Sequence, residues 1–185
     1  MTNSAAASGN SKMVTGLFRD SESVERAYEV ASQRDYGTAD INVVMSDDTR
    51  RRYFSDDRQI NIELGRKAEE GGELGGPMGG TIGMIIPALI AVGVVALPGL
   101  GLVLAGPVAV ALAAAGAAAL TGGLIAALSD WGIPEERAKQ YETGIHDGGI
   151  LMGVRPRSDE DARHFEQQWE AIGGQHVHCS AGTTS

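Results

Sequence analysis

The sequence predicts a mixed α+β fold, a ferredoxin-like βαβ–αβαβ domain interrupted by an apolar Gly/Ala-rich helical hairpin. Three observations predict it. First, the 185 residues carry 15 Lys/Arg and 24 Asp/Glu, yet Leu74 to Ser129 has no charged residue at all. Second, the charged flanks alternate short β-branched runs with amphipathic helical stripes. Third, Gly and Ala recur every fourth residue inside the uncharged stretch, a spacing that lets helix backbones approach closely. The expected organisation is a disordered tail at 1–12, a discontinuous α+β domain at 13–73 and 130–180, the hairpin at 74–129, and a short tail at 181–185.

Met13–Phe18 is β-branched and aromatic and reads as the first strand. Asp20 and Ser21 stand at a helix start, with Glu22 and Glu25 in the first turn, where acids suit the helix dipole. Val24, Ala27, Tyr28 and Ala31 then fall on one face. Tyr36-Gly37 stops that helix, and Asp40–Met45 is the second strand. Ser46–Glu73 is a mixed-charge loop or surface helix. Within it, the triplet Arg50–Arg52 reads first as a solvated face paired with neighbouring aspartates and second as a contact for anionic lipid headgroups.

After the gap, Ile133-Pro134-Glu135-Glu136 opens a helix, because proline and acids favour the first turn. Ala138, Tyr141 and Ile145 mark its apolar side. Ile150–Val154 is a strand. Ser158 or Asp159 caps a further helix, with Ala162, Phe165, Trp169 and Ile172 on its apolar stripe. Gly173-Gly174 ends it, and His176–Cys179 forms a last strand.

The uncharged stretch reads as two arms and a turn. Gly79–Leu97 has 19 residues and Pro107–Leu128 has 22, or about 28 and 33 Å as helix. Both lengths approach the bilayer core of about 30 Å. Pro98–Gly106 is the expected turn, free of charge. The rows Gly72/Gly76/Gly80, Gly75/Gly79/Gly83 and Ala111/Ala115/Ala119/Gly123/Ala127 are candidate helix-packing positions. Ile85, Ile86, Leu89, Ile90, Val94, Leu112, Leu120 and Leu124 are candidate lipid-facing positions, and Trp131 stands at an interface position.

Other chemistry is sparse. The N-terminal residues lack the apolar core of a signal peptide, and the single cysteine argues against a disulfide framework. Both favour the cytoplasm or the cytoplasmic face of a membrane. A net charge of −9 without a basic cluster excludes nucleic acid as an expected partner. His176 and His178 would share one strand face and are weak metal candidates, since Zn²⁺ takes three or four ligands. Gly71–Gly83 lacks the Gly-Lys-Ser/Thr ending of a phosphate loop, and no nucleophile elbow is present. No cofactor or catalytic residue is expected.

Four segments, Val14–Asp20, Ile41–Ser46, Gly132–Ala138 and Gly148–Val154, resemble the bacterial general stress or heat-induced stress proteins, including members with a central glycine zipper. The likeness covers nearly the whole chain outside the tail. It implies a small α+β domain linked to stress and to membrane-like segments, and it carries no catalytic residue. The expected function is therefore non-enzymatic self-association, with the hairpin driving oligomerisation and membrane insertion or contact. Its partners would be further copies of the chain and lipid. The alternative is a soluble oligomer enclosing an apolar cavity for lipid or quinone-like ligands.

Overall fold

The computed structural model describes residues 12–54, 94–97, 101–107, 109, 125, 128–129 and 132–180. They form a mixed α+β structure around one antiparallel sheet. The elements are β1 (Val14–Phe18), α1 (Ser21–Ser32), β2 (Ile41–Ser46), α2 (Asp47–Phe54), β3 (Val94–Leu97), β4 (Leu102–Ala105), α3 (Glu135–His146), β5 (Ile150–Val154), α4 (Asp159–Ile172) and β6 (Gln175–Cys179). The sheet order is β3-β4-β2-β5-β1-β6, and every neighbouring pair is antiparallel.

Strand alternation sorts the core into two layers. Val14 and Phe18 of β1, Ile41, Val43 and Met45 of β2, and Ile150, Met152 and Val154 of β5 face α1 and α4. There Phe18 packs edge-on to Trp169 and Tyr36 edge-on to Phe165. The Trp169 indole donates to the Ala27 carbonyl at 3.1 Å, joining the two helices. Leu17, Val44, Leu151, Leu102 and Leu104 point the other way, against Ala138, Tyr141 and Ile145 of α3. Both faces are thus covered. That is why β5 reads as a continuous apolar run rather than an alternating one, and why β2 carries apolar residues on both faces, at Val43 and Val44.

The helix boundaries follow their capping chemistry. Asp20 accepts the Ser23 N–H and Ser158 accepts the Asp161 N–H, so each side chain satisfies a donor that the helix start leaves open. Gly173 ends α4 at φ 99°, a conformation that costs glycine little.

The uncharged stretch departs from its predicted form. Val94–Leu97, expected as the end of a helical arm, is strand β3. Leu102–Ala105, expected within the turn, is strand β4. β4 pairs with β2 through Val43↔Ala105 and Ser46↔Leu102, and β3 pairs with β4 through Val94↔Ala105 and Leu97↔Leu102. The physical reason lies in strand pairing. β2 has a second edge beyond its pairing with β5, and Leu102–Ala105 satisfies it with backbone hydrogen bonds, while Val94–Leu97 pairs in turn with the outer edge of β4. Gly106 closes β4 at φ 105°, and a β-carbon there would lie 2.4 Å from the Ile41 carbonyl oxygen. Among the described residues no helix is long and apolar enough to cross a membrane.

Candidate functional site

The site that the fold builds most completely is the second sheet face, where the α+β domain meets the uncharged stretch. Leu102 and Leu104 line it from β4, Val44 from β2, Leu151 from β5, and Met13 and Leu17 from beside and within β1. Ala138, Tyr141 and Ile145 cover it from α3, and Ile133 from the loop before α3. Ala109 and Leu128, both fully buried, belong to the same cluster, and Ile125 packs against it. Both ends of the segment from 110 to 124 are therefore flanked by residues of this core.

A polar lock borders this face next to β6. Thr15 and Tyr141 are fully buried, and their hydroxyl oxygens are 3.0 Å apart. Tyr141 donates to the His176 carbonyl at 2.5 Å. Its oxygen is then left to accept from Thr15, whose hydroxyl also reaches the His178 carbonyl at 3.3 Å. The Arg137 guanidinium adds a longer contact to the His176 carbonyl, at 3.4 Å. The lock holds an irregularity in place. Between Leu17↔Gln175 and Thr15↔His178 the β6 side has one extra residue, and His176 takes a left-handed φ of 52°. Burial pushes the Tyr141 phenol pKa up, against the opposing pull of Thr15 and Arg137, so it stays a neutral donor.

A second polar cluster ties the turn after α1 to the loop before α4. Tyr36 donates to Asp161 at 2.9 Å and accepts the Arg157 N–H at 2.6 Å, while the Arg157 guanidinium lies 4.3 Å above the Tyr36 ring. Arg34 also pairs with Asp161, and Arg157 with Asp40 at 3.0 Å. Hydrogen bonding from Arg34 holds the Asp161 carboxyl below its ordinary range, opposing its burial. Every charge named here has a partner of opposite sign, so the cluster fastens the fold and offers no unpaired charge to a ligand.

The predicted site residues divide sharply. Gly72, Gly75, Gly76, Gly79, Gly80, Gly83, Ala111, Ala115, Ala119, Gly123 and Ala127 lie outside the described residues. So do Ile85, Ile86, Leu89, Ile90, Leu112, Leu120, Leu124 and Trp131. Val94 is described, and it begins a strand rather than extending a helix. His176 and His178 sit at and beside the β6 irregularity, and the His176 ring packs edge-on to Tyr141. Burial, with Arg137 nearby, lowers the His178 pKa. Among the described residues no three His, Cys, Asp or Glu side chains gather as metal ligands. Burial pushes the Cys179 thiol up, which keeps it protonated and a poor nucleophile. In the arginine triplet, Arg50 and Arg51 both pair with Asp47, at 3.2 and 2.6 Å.

Tyr141, Thr15 and Ala109 were not legible as a group from the sequence. The one available signal was Thr15, a polar residue in an otherwise apolar strand. Comparison of the chain with family models, curated proteins and solved structures finds no match.

Proposed function

We propose that the chain is a non-enzymatic, self-associating stress-type protein in which a folded α+β domain presents a charge-free Gly/Ala-rich segment to further copies and to membrane lipid. The resemblance of its four domain segments to general stress proteins motivates the stress assignment. The central strand order β2-β5-β1-β6, with α1 and α4 on one face, supports a ferredoxin-like reading of the domain core. On that reading α3, β3 and β4 are additions to the core.

One observation carries the proposal. Ala109 and Leu128 are both buried in the core cluster that contains Leu104 and Tyr141. The intervening stretch, which holds Ala111, Ala115, Ala119 and Gly123, is thereby tethered to the domain at both ends. The sequence spacing of these small residues suits close packing against an identical row. The same anchoring shifts the membrane reading from spanning toward contact at the cytoplasmic face. With Val94–Leu97 in the sheet, the first arm shortens to Gly79–Gly93, 15 residues, and even wholly helical it would reach only about 22 Å. That falls short of a bilayer core of about 30 Å.

The burial of Ala109 and Leu128 in the domain's own core, with Ile125 packed against it, also favours a second reading, a soluble oligomer whose uncharged segments enclose a cavity for lipid or quinone-like ligands. Size-exclusion chromatography with light scattering, paired with flotation on anionic vesicles, tests both. Self-association that is lost in the double variant Gly79→Leu/Gly83→Leu supports packing through the small-residue rows. A wild-type chain that is monomeric without detergent and fails to float defeats the proposal. A monodisperse oligomer that does not float, but retains lipid in native mass spectrometry, selects the cavity reading.

A further inference from the structure

Among the described residues β6 is the end strand of the sheet, with β1 on one side. Such a strand normally offers a row of outward N–H and C=O groups to any passing strand. Here one outward donor of that row is taken up from within the chain. The Ser180 N–H donates inward, to the Met13 carbonyl at 2.8 Å. By strand alternation the preceding amide, of Cys179, points outward. That amide does not end in open solvent: it donates to the Glu166 carboxylate at 2.9 Å. Glu166 belongs to α4, the helix immediately before β6. Farther along the strand, the extra residue at His176 breaks the regular spacing that an incoming strand would need. Its carbonyl is occupied by the Tyr141 hydroxyl.

We propose that Glu166 acts as an edge guard: together with the His176 irregularity held by Tyr141, its carboxylate closes β6 to strand addition by a second copy of the chain. The guard is an autoinhibitory contact, and its removal exposes an edge that pairs with β6 of another copy. Only a side chain performs the capping, so the closure is separable from the fold. The inference stands apart from the proposed self-association, because the wild-type mass, whether of one chain or several, serves only as the baseline.

Three full-length variants test it. Glu166→Ala removes the acceptor, Glu166→Gln keeps a carbonyl oxygen in its place, and Glu166→Lys removes the acceptor while adding a charge that repels a second edge. In Glu166→Ala, dilute-solution exchange of the Cys179 amide should rise about tenfold or more. The weight-average mass should then climb with concentration above the wild-type baseline. Glu166→Gln should behave as wild type in both measurements, and Glu166→Lys should exchange fast yet keep the wild-type mass. A Glu166→Ala mass equal to wild type at every concentration overturns the guard. An equal rise in the Ala and Lys variants also overturns it, because that pattern marks association through unfolding. Should Glu166→Ala not fold, Glu166→Leu takes its place: it removes the acceptor while keeping an apolar side chain of similar length, and an unchanged mass there rejects the proposal.

Discussion

The Leu17 Cδ2 atom stands 2.2 Å from where a β-carbon on Gly144 would lie. Helix α3 therefore rests on β1 at the one point of its buried side where it has no side chain. The contact sets how closely α3 approaches the second sheet face, and with it the geometry of the cluster that holds Ala109 and Leu128. Gly149 repeats the theme: a β-carbon there would meet the Gly144 carbonyl oxygen at 2.7 Å.

Gly144→Ala sets two opposing effects against each other. Alanine gains up to about 1 kcal/mol of helix propensity. Overpacking against Leu17 costs about 1–3 kcal/mol. The expected result is net destabilisation, seen as a lower urea midpoint with an unchanged slope. Leu17→Ala in the same chain should relieve part of the clash, giving a favourable coupling in a double-mutant cycle. Simple additivity would mean that the two residues do not constrain each other.

Leu104→Ala separates a packed strand from an exposed turn. Leu104 is 1% exposed and sits between β2 and β3. Its truncation should cost about 2–5 kcal/mol of unfolding free energy. A residue in a solvated turn would change stability by no more than about 0.5 kcal/mol. Equilibrium denaturation followed by far-ultraviolet circular dichroism distinguishes the two.

Tyr141→Phe keeps the ring and removes the hydroxyl that binds Thr15 and the His176 carbonyl. Leaving buried polar groups without that partner should cost about 1–3 kcal/mol. The loss should concentrate in β6, so amides of residues 175–179 should exchange faster than those of β2 and β5. Uniformly faster exchange across the sheet would assign Tyr141 a general packing role instead.

Acid should weaken the clasp between Tyr36, Asp161 and Arg34. The Asp161 carboxyl is lowered in the folded chain, first by hydrogen bonding from Arg34. Its contribution is therefore complete above the unfolded carboxyl value of about 3.9, and it is lost as pH falls through the lowered folded value. Asp161→Asn should reduce stability at neutral pH and flatten its fall below about pH 4. Urea midpoints measured from pH 2 to 7 check both parts, and parallel curves for variant and wild type would contradict them.

The sequence by itself determined the elements whose signals are local. Ser158 three residues before Asp161, the stripe Ala162, Phe165 and Trp169, and the stop at Gly173 specify α4 within one stretch of chain. Asp20 does the same for the start of α1. Ile150–Val154 was equally plain, since a strand buried on both faces is apolar at every position. The alternation of the flanking segments also carried the α+β class.

Only the tertiary structure decided the state of Val94–Leu97 and Leu102–Ala105. Short runs of Val, Leu and Ala satisfy a helix as readily as a strand; Leu102–Ala105 is decided by β2, through pairs as far apart in sequence as Val43 and Ala105, and Val94–Leu97 by the strand so formed. The polar lock of Thr15, Tyr141 and His176 and the capping of Cys179 by Glu166 were hidden for the same reason. Each joins groups whose types are ordinary in isolation, and only the folded chain sets their distances. Period and capping are properties of neighbours along the chain, whereas strand pairing and buried hydrogen bonds are made between segments that meet only in space.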